Sequence, residues 1–371
     1  MTASVYIHPI AFASGPQAED GAAIRLAGSM VYASRFALVL REGGAVTDRR
    51  LFGARGLDEA LSGLDDGLAA EAQRQWANLQ KVHAPIKLGE RTIRLDQPQI
   101  MGVLNVTPDS FSDGGEFLEK PDAGRAHAAA MIEAGAAIID IGGESTRPGA
   151  AATWEGDEKD RVLPAVEYCA EMGAVISVDT RRAGVLEAAL NAGAHIANDV
   201  SALRYDPRSL ELVANMQCPV IVMHAPGTGD DLHEGAEYLD IVSDVFDFLK
   251  SARERGIAGG IAEDRIILDP GIGFGKTLAD NLALINALPL FHALGSPLLL
   301  GVSRKRMIGA LSKEEAAHER LGGSISLATK GMDAGVHLLR VHDVKETVQA
   351  RNVWRGMRDS ALTDFAQLPQ F

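Results

Sequence analysis

An α/β fold closed into a (β/α)8 TIM barrel is predicted for this chain of 371 residues, and three observations carry the prediction. Eight short apolar runs each end in a polar or charged residue, helix-patterned segments separate them, and several of those segments stop at a glycine. Short runs of Val, Ile, Leu and Ala suit strands buried on both faces, as a parallel sheet requires. Polar residues at the carboxyl ends of such strands are where a barrel builds its active site.

Residues 1–84 are read as an N-terminal extension with a hairpin in FALVLREGGAVTDRRLF and a helix from Leu57 to about Leu79. It carries no catalytic constellation, so packing or an oligomer contact is its expected role. Residues 85–371 form the barrel domain. Its first element, Ile86–Leu95, alternates around Gly89-Glu90 and is expected to be a hairpin plugging the barrel's bottom. The strands follow as IMGVLNV near Asn105, AAIIDIGG at Asp140, AVISVDT at Asp179 and HIANDVS at Asn198. PVIVMHA at His224, RIILDPG at Asp269, PLLLGVSRK at Ser303 to Lys305, and HLLRVHD at Arg340 and His342 complete the set.

Between them the helix pattern covers Asp122–Ala134, Glu158–Met172, Arg181–Ala192, Tyr238–Arg255, Ala279–Leu288, Glu314–Ala334 and Val344–Met357. Gly135, Gly173, Gly193, Gly256 and Gly335 are the expected stops, and the tail after Met357 reads as irregular. Strict alternation argues for parallel strands with right-handed crossovers. No GxGxxG follows the first strand, which removes support for a dinucleotide fold.

Composition bounds the function. With 36 Lys plus Arg against 50 Asp plus Glu, the formal charge is −14, which argues against a nucleic-acid surface. An anionic substrate would need local positive charge. Two cysteines, Cys169 and Cys218, cannot build a disulfide framework and are expected to be reduced packing residues. No apolar stretch approaches the ~18–20 residues of a membrane span, and the N-terminus lacks a signal-peptide pattern, so a cytoplasmic protein is expected.

Asn105 with Asp109 and Asp113 in TPDSFSDGGEF offers hard oxygens of the kind Mg²⁺ accepts, although an ordinary turn-rich loop has the same composition. GGESTRPGA places Thr146, Arg147 and Pro148 in a Gly-flanked loop, where Arg147 is either a carboxylate or phosphate clamp or a solvated turn residue. Asp179, Asn198 and Asp269 at equivalent strand ends suit a flat, amine-rich heterocycle. DPGIGFGKT is one residue too short between its glycines for a P-loop, and its glycines instead let the chain pass a ligand with Phe274 free to stack. Ser303, Lys305, Arg340 and His342 have the chemistry for a diphosphate, with Arg304 and Arg306 adding positive potential. His224, His233 and Glu234 lack zinc-site spacing.

In this order LNVTPDSFSDGG, IDIGGESTRPGA, SVDT, ANDVSAL, LDPGIGFGK, GVSRKRMIG and RVHD resemble the dihydropteroate synthase family, over about Ile86 to Met357. The resemblance implies a transferase of folate biosynthesis that condenses (7,8-dihydropterin-6-yl)methyl diphosphate with 4-aminobenzoate. It implies a pterin pocket of Asp179, Asn198, Asp269 and Lys305, and a diphosphate site of Asn105, Thr146, Arg340 and His342. Mg²⁺ would rest on Asn105. Aminobenzoate would meet Phe111, Thr146, Arg147, Pro148, Phe274 and Arg306, while Lys305, Arg340, His342 and Asp113 would carry the catalysis. A homodimer that binds sulfonamides is implied as well. A pterin-dependent methyltransferase would share the pterin-binding acids without needing SRK or RVHD, and a silent pterin-binding paralogue is the non-enzymatic alternative.

Overall fold

The computed structural model describes residues 3–13, 21–107, 121–146 and 153–362. Ahead of the barrel, β1 (Ser4–Ala13), β2 (Ile24–Arg25) and β4 (Ala45–Gly53) all pair antiparallel with β3 (Tyr32–Glu42). The β3–β4 hairpin is the one anticipated, and it turns at Gly43 and Gly44 with φ of 59° and 84°, where glycine alone is unstrained. Strand β1 was not anticipated. Pro9 lies within it, and its register with β3 shifts between Pro9 and Ala11, so the two-residue period is broken where a reader would look for it.

In place of one helix there are two, α1 (Leu57–Leu61) and α2 (Asp66–Leu79). Gly63 takes a left-handed φ of 77° between them, and Asp65 caps α2 by accepting from the Leu68 amide at 2.9 Å. The sheet and helices share one core with the barrel. Phe36 packs edge-on to Trp76 at 4.8 Å, the Tyr6 ring meets Phe246 at 5.4 Å, and the Tyr6 hydroxyl donates to Asp247 at 2.8 Å.

A short hairpin, β5 (Ile86–Leu88) and β6 (Arg91–Ile93), closes the bottom of the barrel. Ile86, Leu88, Ile93 and Leu95 pack against one residue near the start of each barrel strand, from Met101 to Leu338. The eight strands are β7 (Gln99–Asn105), β8 (Ile138–Gly142), β9 (Ile176–Asp179), β10 (Ile196–Asp199), β11 (Val220–Met223), β12 (Ile266–Asp269), β13 (Leu299–Gly301) and β14 (Leu338–Val341). They pair parallel in chain order, and the seam closes where the Leu268 amide donates to the Pro297 carbonyl at 2.9 Å.

Outside lie α3 (Pro121–Glu133), α4 (Glu155–Glu171), α5 (Ala183–Asn191), α6 (Ser209–Met216), α7 (Ile241–Ala258), α8 (Leu278–Asn286), α9 (Arg306–Leu311), α10 (Leu321–Asp333) and α11 (Val344–Leu362). The two short helices α6 and α9 escape pattern reading. Gly135, Gly173, Gly193 and Gly335 do stop their helices in left-handed conformations. Gly256 does not. It lies inside α7, where a Cβ would come 3.1 Å from Ile266 Cδ1, and the left-handed residue past that helix is Gly260. The tail is helical to Leu362 and not irregular from Met357. Both cysteines are free and buried, and among the described residues no helix is long and apolar enough to cross a membrane.

Candidate active site

Strand register sets the floor of the site. Asn105 pairs with Gly142, Gly142 with Asp179, and Asp179 with Asn198, so the ends of β7 to β10 stand at one level. Asp140, two residues before Gly142 on β8, faces the same side one layer deeper and is fully buried.

Arg340 joins the two layers. Its Nε donates to Asp140 Oδ2 at 2.6 Å and its Nη2 to Asp179 Oδ2 at 2.8 Å. Asn198 donates to both Asp140 oxygens at 3.3 and 3.2 Å. Burial raises the Asp179 carboxyl above the usual carboxylate range and Arg340 pulls it back. Sequence reasoning gave Asp140 no task. The signal was its place two residues before a strand end on the inward face.

Asp269, at the end of β12, is buried and accepts from the Gly271 amide at 2.7 Å. The Lys305 ammonium lies 4.5 Å from the Phe274 ring centroid, and burial lowers its pKa to about 8 while Asp269 opposes the shift. Lys305 follows Arg304, which adopts a left-handed φ of 57°. That conformation is held by ion pairing to Asp343 at 2.6 Å, so Arg304 contributes less free positive charge to the mouth than its sequence position suggests. The His342 amide and Nδ1 both meet the Ser303 hydroxyl, at 3.2 and 3.1 Å. Arg306 is exposed at the rim.

Lys276 was not anticipated. Its ammonium donates to the carbonyls of Gly271 at 2.8 Å and Phe274 at 3.0 Å, and lies 2.8 Å from His224 Nδ1. Burial lowers Lys276 to about 7 and His224 to about 2, so the imidazole is neutral and accepts. The lysine pins the Gly-rich loop after β12 onto the end of β11. Lys276→Ala would strand those acceptors and is expected to lower unfolding stability by roughly 2 kcal/mol, measured by urea titration.

A second buried network also escaped the sequence reading. Arg181 Nε and Nη2 pair with Glu144 at 2.9 and 3.2 Å, and Arg182 joins Glu144 and Glu158 at 3.0 and 2.7 Å. It ties the loops after β8 and β9 together, a contact between distant positions with no sequence signature. Asp109, Phe111, Asp113, Arg147 and Pro148 lie outside the described residues.

Above this floor opens a cleft of about 950 Å³, ample for a drug-sized ligand. Asn105, Thr146, Asp179, Phe274, Lys305, Arg306, Arg340 and His342 line it, whereas Asn198 and Asp269 are buried beside it. The geometry brings together carboxylates and an amide at the base and cations above, which suits an amine-rich ring carrying an anionic group.

Residues 101–342 match the family profile described as pterin binding enzyme. The Escherichia coli K12 dihydropteroate synthase is 46% identical over 263 residues, covering 71% of this chain and 92% of that protein. The Yersinia pestis dihydropteroate synthase solved with a sulfonamide drug superposes with a TM-score of 0.71 at 43% identity, covering 74% of this chain and all of that one. The Xanthomonas albilineans enzyme with 4-aminobenzoic acid gives a TM-score of 0.69 at 41% identity, over 78% of this chain and 100% of that chain. The chain therefore belongs to the pterin binding enzyme family and, within it, to the dihydropteroate synthases.

Proposed function

We infer that the protein is a transferase condensing (7,8-dihydropterin-6-yl)methyl diphosphate with 4-aminobenzoate to 7,8-dihydropteroate and diphosphate. The observation that carries this reading is the layered floor of Asp140, Asp179, Asn198 and Arg340 beneath a cationic mouth, in a chain this similar to the synthases. Asp179, Asn198 and Asp269 would hold the pterin's amine and amide edge. Lys305, beside Phe274, would stand where pterin, diphosphate and arylamine meet. As the carbon–oxygen bond to diphosphate lengthens, Arg340 and His342 would stabilise the charge growing on the leaving group. No protein nucleophile is needed, because the pterin itself stabilises the methylene cation that the arylamine attacks.

Mg²⁺ fits this donor set as an ion shared with the substrate. Asn105 lines the cleft with a side-chain amide, whose oxygen is a hard donor, and among the described residues no group of three carboxylates, histidines or cysteines could hold a metal. When bound, the ion would neutralise diphosphate charge. Assembly as a homodimer in the cytoplasm belongs to the same reading, and exposed Val353 and Met357, one turn apart on α11, offer an apolar strip for such a contact.

Purified protein with Mg²⁺, the pterin diphosphate and labelled 4-aminobenzoate is expected to yield labelled dihydropteroate and free diphosphate. A sulfonamide should compete with aminobenzoate in that assay. Pterin binding without turnover would overturn the reading in favour of a silent paralogue.

A further inference from the structure

His233, in the loop between β11 and α7, is used by no step above, yet its ring bridges separate parts of the cleft wall. The Gly275 amide donates to its Nδ1 at 3.1 Å, and its Nε2 lies 3.2 Å from the Thr146 carbonyl oxygen. A nitrogen that accepts cannot carry the proton, so the ring is the Nε2–H tautomer and donates to Thr146. Its face stacks on Phe274, with centroids 5.3 Å apart and planes 12° off parallel. One imidazole thus joins the loop after β8, the loop after β12 and the aromatic side chain beside Lys305.

The loop that carries His233 has its own anchors. Arg181 Nη1 donates to the carbonyls of Gly229 and Asp230 at 2.7 and 3.2 Å, and Arg204 Nη2 donates to those of Ala225 and Gly227 at 2.6 and 3.3 Å. Lys276 holds the main chain of the β12 loop from beneath. None of these three side chains hydrogen-bonds to the Thr146 carbonyl. Phe274 also packs on Val200, Met223, Ala225 and Leu232 and lies under Lys305, but it is His233 that links its loop to the Thr146 carbonyl.

We propose that His233 is a positioning residue for the aminobenzoate half of the site, presetting Phe274 and Thr146 as one wall for the incoming arylamine. The proposal rests on the synthase reading, through the placement of aminobenzoate against Phe274 and Thr146. Its action runs through Phe274 and Thr146 and involves no contact with the pterin.

The test is steady-state kinetics on His233→Ala and His233→Gln, with the two substrates varied separately. His233→Ala is expected to raise the KM for 4-aminobenzoate roughly tenfold, the scale of a misplaced substrate wall, and to leave the KM for the pterin diphosphate within about twofold. His233→Gln keeps an acceptor for Gly275 and a donor for Thr146 and should recover most of the loss. In a Phe274→Ala background, His233→Ala should add less than it does alone. An unchanged aminobenzoate KM in His233→Ala, equal changes for both substrates, or full additivity with Phe274→Ala would each overturn the assignment of His233 and leave the activity standing. Absence of turnover in the unsubstituted protein would instead overturn the synthase reading, and this proposal with it. Should the alanine variant fail to fold, an aminobenzoate KM in the glutamine variant as high as that of Phe274→Ala would also count against it.

Discussion

Arg340→Ala is expected to abolish dihydropteroate formation and also to destabilise the barrel by roughly 3–5 kcal/mol, the usual penalty for breaking a buried ion pair. As a diphosphate contact at the end of a strand, Arg340 could be replaced with loss of activity and no unfolding. The structure changes that expectation. Its guanidinium separates Asp140, which is fully buried, from Asp179. Without it two carboxylates share a confined space, and the charge of Asp140 raises the Asp179 carboxyl with no guanidinium to oppose it. A carboxyl whose folded pKa stands above its unfolded value contributes stability at low pH that is lost as pH rises through the folded pKa. The gap in stability between variant and parent should therefore narrow as pH falls from 7 towards 5 in parallel urea titrations. Arg340→Lys should restore part of the stability but little turnover, because one ammonium cannot bridge both carboxylates as the planar fork does. An alanine variant as stable as the parent would show that the triad is not a structural unit.

That triad marks the limit of what the sequence disclosed. Polar residues closing apolar runs announce themselves, so the sequence pattern itself assigns Asn105, Asp179, Asn198, Asp269, Lys305 and Arg340 to one barrel mouth. Asp140 marks its run in the same way, but its task as the partner of Arg340 and Asn198 one layer down appears only in the geometry. His233, Lys276 and the Glu144–Arg181–Arg182 network act through contacts between loops, which no local pattern encodes. The extension was obscured differently. Pro9 interrupts the alternation of β1, and Gly63 divides a helix whose apolar period runs on across the break. Such a local exception is legible only once its neighbours are in place.

The extension meets the barrel through three imidazoles, and this junction predicts how the protein responds to acid. His337 accepts from the Leu298 amide through Nδ1 at 3.0 Å, so its Nε2 carries the proton and donates to the Ala27 carbonyl at 3.2 Å. His83 and His292 pack edge-on against it at 5.0 and 5.4 Å. Burial lowers His337 to about 4, His292 to about 3 and His83 to about 2, with neighbouring imidazoles adding to the shift for the last two. All three are neutral in the folded protein. The unfolded chain takes up protons at an ordinary histidine pKa of about 6.5, so stability is intact above that value and lost as pH falls below it. At pH 5 the loss amounts to about 2 kcal/mol for each of the fully buried pair, His292 and His337. His83→Phe keeps an aromatic edge against His337 and removes a nitrogen, Nε2, that is buried without a partner. It should reduce the slope of stability against pH by about one proton per molecule. Calorimetric scans between pH 7.5 and 5 would decide the matter, and a flat melting temperature across that window would mean the imidazoles accept protons without opening the junction. A fall that His83→Phe relieves would locate the acid-sensitive contact where His83 of the extension packs on His337 of the barrel, away from the cleft whose carboxylates would otherwise be blamed.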